Sequence, residues 1–252
     1  MPKFKLTIEY DGRDFVGWQR QSNGMSIQET LENAVFAFSG ERTEVAGAGR
    51  TDSGVHAIAM TAHIDLQSDR FNAHTVRKAI NFHMRDVAVS VLGSEVAEPG
   101  FHARFSATRR RYLYRILNRN APPALEIGRV WFIPRPLDAD AMGIAARVLL
   151  GKHDFTSFRA SHCQAASPEK TLDRLDVTRV GNEIHIHAEA RSFLHHQVRN
   201  IVGTLALVGE GKWRERDMEK ALAARDRAAA GPTAPAHGLY LVDVGYVGAP
   251  GC

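Results

Sequence analysis

The stretch Gly47-Ala48-Gly49-Arg50-Thr51-Asp52-Ser53-Gly54-Val55-His56-Ala57 sets three glycines and a run of polar groups between two apolar segments, and it predicts a loop. A nucleotide cradle is the first chemistry such a loop suggests, but the sixth position of Gly-x-Gly-x-x-Gly is Asp52, whose charge repels phosphate. No Lys-Ser or Lys-Thr follows to make a P-loop either. Asp52 then reads either as a turn residue satisfying neighbouring backbone N–H groups or as a working carboxylate. Arg50, two residues away, favours the second reading, because a nearby cation keeps a carboxylate ionised and a guanidinium can also grip an RNA backbone.

Two further segments carry charge in unusual company. Arg109-Arg110-Arg111-Tyr112-Leu113-Tyr114-Arg115 interleaves cations with aromatics; as a strand it puts Arg110, Tyr112 and Tyr114 on one face and Arg109, Arg111 and Arg115 on the other. Arginines bind phosphates and a tyrosine ring stacks on a base, a combination suited to single-stranded or flipped-out nucleotides, although a charge-protected edge strand gives the same pattern. In Phe193-Leu194-His195-His196-Gln197-Val198-Arg199-Asn200-Ile201-Val202-Gly203, Arg199 stands in an otherwise apolar helical pattern. If that helix is packed the arginine needs a partner, for which Asp52 is a candidate; a surface-facing arginine is the alternative. The twelve histidines include His185 with His187 and His195 with His196, but neither pair has further ligands at a recognised metal spacing, so no metal is expected. Gly-x-Ser-x-Gly is absent as well.

The elements that must position these residues follow from periodicity and caps. Phe4, Leu6, Ile8 and Tyr10 alternate with polar residues and predict a strand ending at Asp11-Gly12. Ser26 with Glu29 is a capping-box pattern ahead of a helix over 27–39, and Asn72 caps a second helix carrying Val76, Ala79 and Ile80. Strands are expected over 43–46, 60–66 and 87–92. In the second half a strand is expected over 106–117, an Asp138-capped helix after it, and strands over 175–180 and 183–190 around the turn Gly181-Asn182. Helices over 193–207 and 213–225 follow, then a loop over 228–237 and a strand over 239–247. Two halves of similar α/β content suggest two subdomains with a cleft between them.

Composition sets broad bounds. A 252-residue chain that is 44% hydrophobic can bury a real core, and a net charge of +4 favours a polyanionic partner without demanding one. Cys163 and Cys252, far apart, give neither a disulfide framework nor a cysteine zinc site, which points to a reducing cytoplasm. No basic stretch followed by an apolar run opens the chain, and no segment has the length of a membrane span, so neither a signal peptide nor a membrane association is expected.

Seven stretches can be read together: Glu9-Tyr10-Asp11-Gly12 with Phe15-Val16-Gly17-Trp18-Gln19; Gly49 to Ala57; Phe101-His102-Ala103-Arg104-Phe105-Ser106-Ala107; Arg111-Tyr112-Leu113-Tyr114; Gly151-Lys152-His153-Asp154-Phe155; Val198-Arg199-Asn200; and Ala234-Pro235 ahead of Gly238-Leu239-Tyr240-Leu241. In this order, and spanning nearly the whole chain, they resemble the tRNA pseudouridine synthase A family. The resemblance makes Asp52 the catalytic aspartate, Tyr112 the tyrosine that stacks on the target base, Arg199 the partner of the aspartate, and Arg50 the residue that fills the space the flipped base vacates. Small departures are His195 and Gln197, where Tyr and Met are common, and Ser53, where Ala is frequent.

What the resemblance implies is an α+β pseudouridine synthase fold of two similar α/β subdomains, 1–105 and 106–252, with mainly antiparallel sheets flanking a central basic cleft. It implies a cytoplasmic homodimer that acts on the anticodon arm of tRNA, turning uridines 38, 39 and 40 into pseudouridine. The product is an isomer of the substrate, so no cofactor is expected. Rival readings are a pseudouridine synthase of different RNA site specificity, a non-catalytic RNA-binding module using the Arg109 to Arg115 strand, and a nucleotide-dependent enzyme using the glycine loop.

Overall fold

The computed structural model describes residues 1–161 and 163–247; Cys252 lies outside the described residues. In chain order the first elements are β1 (Lys3–Tyr10), α1 (Ile27–Ser39), β2 (Ala46–Gly47), β3 (His56–Asp65), α2 (Ala73–His83) and β4 (Val89–Val96). They are followed by β5 (Ala107–Leu117), β6 (Trp131–Phe132), α3 (Ala139–Arg147), β7 (Gly151–Asp154), β8 (Glu169–Val180), β9 (Glu183–Ala190), α4 (Gln197–Gly209), α5 (Glu215–Ala224) and β10 (Leu239–Tyr246). The described chain forms two compact units, one of Met1–Thr108 with the chain from Tyr240 onward, the other of Arg109–Leu239. The expected division gave all of 106–252 to the second subdomain; the last strand instead returns to the first unit, pairing its Tyr240 and Leu241 in parallel with His56 and Ala57. A closing strand that pairs with an early one leaves no mark in local sequence.

In the first unit β1 is the central strand because its alternate side chains Phe4, Leu6 and Ile8 are all fully buried. It pairs antiparallel with β3, Phe4 opposite Ile64 and Leu6 opposite Ala62, and on its other side with β4. The helices bury their apolar stripes against this sheet: α2 packs on β4 and α1 on α2, with Ile27, Leu31, Val35, Val76 and Ile80 fully buried. Both start where expected, Ser26 accepting the Glu29 N–H and Asn72 that of Thr75. Asn81 fixes α2 to the sheet by exchanging two hydrogen bonds with the Val91 backbone, at 2.9 and 2.7 Å.

Here the sequence expectation needs two corrections. The strand foreseen over 43–46 is only the two-residue β2, and the strand foreseen from Met60 begins at His56, so the loop foreseen over 47–57 is Ala48 to Val55. Ile8 pairs with Met60 but Tyr10 with Ala57, a bulge that inserts one residue on the β3 side. Beyond it His56 and Ala57 are both buried, which erases the alternation that would have announced a strand.

In the second unit the sheet runs β5, β9, β8, β7, every neighbour antiparallel, with β6 beside β5 in parallel. Tyr114 faces Ile186 and Ile116 faces Ile184, all four fully buried. Helix α3 starts at Asp138, whose carboxylate accepts the Ala141 N–H, and packs on β8 and α4. Strand β8 begins six residues before the expected 175, since its outer face carries charges that mask the pattern. Helix α4 begins at Gln197 rather than 193 because His196 takes the left-handed conformation, φ +62°, which neither a glycine nor an asparagine signalled. Among the described residues no helix is long and apolar enough to cross a membrane.

Candidate active site

The segment Gly12 to Trp18 runs along the Asp52 loop and fixes it on both sides of that residue. Before Asp52, the Trp18 N–H donates to the Thr51 carbonyl at 3.0 Å, and the Thr51 and Tyr10 hydroxyls bond each other at 2.8 Å in a buried setting. Gly17 and Asp52 form an isolated bridge. After it, the Ser53 hydroxyl donates to the Phe15 carbonyl at 3.0 Å and the Gly54 N–H to the Gly12 carbonyl at 3.2 Å. The loop closes on itself through Val55 N–H to the Asp52 carbonyl at 3.1 Å. A side chain at Gly12 would overlap the Val55 carbonyl, so glycine is required for this approach.

The result is an aspartate whose backbone is held tightly while its side chain stays partly accessible, with Thr51 buried on one side and Arg50 exposed beyond it. The first and second family-like stretches are therefore one physical object. Behind them Asp11 receives Arg13 in a two-pronged pair, Nε to Oδ1 at 2.9 Å and Nη2 to Oδ2 at 2.7 Å. Burial pushes the Asp11 pKa up, but the bonds from Arg13 and the neighbouring charges outweigh it and hold the carboxyl at about 2. Sequence reasoning passed over Asp11 and His56. Both stood in the family-like stretches, and Asp11-Gly12 also read as the end of a strand, but neither was assigned a role.

The third stretch is joined to the same sheet. The Ala103 N–H donates to His63 Nδ1 at 3.2 Å, the Tyr246 hydroxyl to the Ala103 carbonyl at 2.7 Å, and the His63 and His102 rings meet edge to face at 4.7 Å. Burial, followed by the charges of Lys3 and His102, brings the His63 pKa down to about 4, so its neutral ring serves as an acceptor.

In the second unit Tyr112 lies on β5 opposite Ala188, half-buried, its ring edge-on to Phe193 at 5.2 Å. Tyr114, two residues on, is a core residue: its hydroxyl donates to the Pro235 carbonyl at 2.8 Å, and burial pushes its pKa well up. The two tyrosines share a strand face but not a role, because only Tyr112 keeps accessible surface. The arginines of this strand are not a simple phosphate-binding row. Arg115 makes two bonds to Glu183, at 2.9 and 2.8 Å, and a second ion pair with Glu126 at 3.0 Å, while Arg110 donates to the Arg191 carbonyl. His185 belongs to the same cluster through Glu183 at 2.8 Å, and His195 and His196 lie ring against ring at 4.0 Å.

Arg199 sits in the first turns of α4, half-buried, and its Nε donates to the Ala234 carbonyl at 2.8 Å; the Ala234 N–H returns a bond to the Arg199 carbonyl. The strap carrying Ala234 and Pro235 is anchored by fully buried Asn200, which accepts from Thr233 Oγ1 at 2.7 Å and from Arg227 at 3.2 Å and donates to the Phe158 carbonyl at 2.9 Å. At Gly203 the helix comes so near the strap that a β-carbon would overlap the Pro232 carbonyl. Two departures from the family pattern take up bonds here: Ser53 as above, and Gln197, whose side chain accepts the Leu194 N–H at 2.8 Å. Of the expected site residues, Asp52 and Arg50 belong to the first unit and Tyr112 and Arg199 to the second.

Residues 6–106 and 145–247 match the family model described as tRNA pseudouridine synthase. A protein of Rhodospirillum centenum named tRNA pseudouridine synthase A is 60% identical over 246 residues, covering 98% of this chain and 100% of its own length. Its namesake in Paramagnetospirillum magneticum is likewise 60% identical, over 98% of this chain and 96% of its own, and that of Caulobacter vibrioides 57% identical over 98% and 99%. A chain from a solved structure titled Crystal Structure of a Cbf5-Nop10-Gar1 Complex covers 95% of this chain and 49% of its own at 9% identity, with a TM-score of 0.37, too low to add to the assignment. With the family model matching most of the chain and near relatives matching it end to end, the chain belongs to the tRNA pseudouridine synthase family.

Proposed function

We propose that this protein isomerises uridine to pseudouridine at positions 38, 39 and 40 in the anticodon arm of tRNA, with Asp52 as the catalytic carboxylate. The observation that carries the reading is the Asp52 loop: bonds to Tyr10, Gly12, Phe15 and Trp18 fix it on both sides of Asp52, which stays partly accessible. The target base leaves its stack at a cost of a few kcal/mol, offset by stacking on Tyr112 and by Arg50 entering the vacated space. Arg199 supplies a positive charge to the reaction. The N1–C1′ bond breaks, the uracil turns, and C5 bonds to C1′; the C5 proton departs and N1 regains one, so atoms balance without a cofactor or metal.

Asp52 acts by adding to C1′, by adding to the base at C6, or by removing a sugar proton to give a glycal. Tyr112 accepts the C5 proton as general base. The protein works as a cytoplasmic homodimer in which one subunit grips the tRNA body and the other modifies it, with affinity that falls steeply with salt.

The test is tritium release from tRNA transcripts carrying 5-tritiated uridine, with no cofactor or metal added. Release that maps to positions 38 to 40 is the expected result. Release from another position transfers the reading to a sister specificity, and no release from any transcript by folded protein sinks the isomerase reading.

A further inference from the structure

His56, four residues after Asp52, is 2% exposed at the start of β3, and its Nδ1 is shared by two groups of opposite character. The Gly12 N–H lies 3.1 Å away and needs a lone pair on Nδ1; Asp11 Oδ1 lies 3.2 Å away and needs a proton there. One nitrogen cannot serve both. Gly12 is bonded on both sides: its N–H reaches His56, and its carbonyl, in the following peptide group, receives Gly54, so this one residue contacts those two and four beyond the aspartate. We propose that His56 is a positioning residue for the isomerisation: its neutral ring holds Gly12 and so fixes the Asp52 loop, and its protonation transfers Nδ1 to Asp11 and releases the Gly12 N–H.

The surroundings suit such a latch. Among the groups that face the imidazole are Asp11, with Arg13 bound behind it, from the segment after β1, and Tyr240 of β10, whose ring stacks on it at 4.7 Å and 24°. Asp11, held at about 2, remains an anion over the whole range in which a histidine titrates, so a proton arriving on Nδ1 always finds its acceptor. The stacked tyrosine confines the ring, so the change is one of partner rather than of rotamer. Since Gly12 approaches the Val55 backbone too closely for any side chain, a shift of that peptide is passed directly to the loop.

The inference rests on the proposed isomerase activity for its kinetic half and on none for its structural half. Asparagine places an amide oxygen where Nδ1 stands and does not titrate, so His56→Asn keeps the acceptor and removes the switch. In His56→Ala, kcat should fall about ten- to a hundredfold with KM within twofold, as for a small displacement of the reacting group. In His56→Asn, kcat at neutral pH should recover to within a few-fold, and the acid-side loss of kcat expected of wild type should vanish. Protection of the Gly12 amide against hydrogen exchange, taken relative to the intrinsic rate at each pH and read on the protein without RNA, should fall at least tenfold in His56→Ala and on acidification of wild type, but not in acidified His56→Asn. Equal kcat in His56→Ala and wild type, an unchanged acid limb in His56→Asn, or wild-type Gly12 protection indifferent to pH each overturns the proposal. Absence of tritium release by wild type at neutral pH counts against the isomerase reading alone, and the exchange measurement then decides the latch by itself.

Discussion

Asp52 and Arg199 are held by opposite strategies. The aspartate is fixed through its backbone: Trp18, Ser53, Gly54 and Gly12 bond the peptide groups around it, and the carboxylate is left partly accessible. The arginine is fixed through its side chain, Nε to the Ala234 carbonyl, and the strap that supplies that carbonyl is tied down by the buried polar groups Asn200, Thr233 and Arg227. A rigidly held backbone suits a group proposed to form or break bonds, and a held guanidinium suits one proposed to supply charge. The arrangement around Asp52 depends on close backbone approach, and that around Arg199 on satisfied buried polar atoms, so the two should fail differently.

The largest expected effect is at the close approaches. Gly12→Ala forces the segment off the Val55 carbonyl and should cost about 3 kcal/mol, with loss of turnover, in urea titrations and tritium release. Gly203→Ala gives a sharper contrast, because the same change inside a helix ordinarily stabilises by about 1 kcal/mol. Here the added methyl meets Pro232, and a loss of about 2 kcal/mol is expected, with kcat falling as the strap and its grip on Arg199 shift. A stabilised Gly203→Ala would show that the strap yields freely and that the second region is not built on close packing at all.

Acid should separate the regions next. His63 has a folded pKa of about 4, below the 6.5 of an exposed histidine, so its contribution to stability is present above about pH 6.5 and is lost as the pH falls toward 4. The loss at pH 5 relative to pH 7 should be about 2 kcal/mol, and His63→Asn, which keeps an acceptor for Ala103, should flatten that slope. Asp11, depressed to about 2, contributes nothing to the change over this window, because it stays ionised throughout. The smallest effect is expected from Tyr114→Phe, which deletes the bond to the Pro235 carbonyl but keeps the ring in the core; about 1 kcal/mol is lost, as measured by thermal or urea unfolding.

The same contrast explains what could be read from the sequence. Capped amphipathic helices were legible because a cap and a stripe are local: α1 starts behind Ser26, α2 behind Asn72 and α3 behind Asp138 as their side chains demand. The alternation of Phe4, Leu6 and Ile8 fixed β1 for the same reason. Where a strand is buried on consecutive residues, as at His56 and Ala57 beyond the bulge, the pattern fails, and where a helix starts at a left-handed histidine, as α4 does, no residue type announces it. The alternation of elements showed two halves of similar α/β content, the α+β class with mainly antiparallel sheets came only with the family resemblance, and the return of β10 to the first unit was legible in neither. Of the site, the odd composition around Asp52 and the lone arginine in α4 drew attention to those residues. Their supports did not stand out: the bond between Gly12 and His56 spans 44 positions and that between Arg227 and Asn200 spans 27, and no spacing rule connects such pairs.

The most direct measurement is single-turnover tritium release by Asp52→Asn beside wild type, with tRNA affinity and thermal stability measured on the same preparations. The backbone bonds of the loop do not use the Asp52 carboxylate, so the variant should fold and bind tRNA as wild type does and release no tritium. Release by Asp52→Asn at the wild-type rate would contradict the central claim and return the chemistry to another residue.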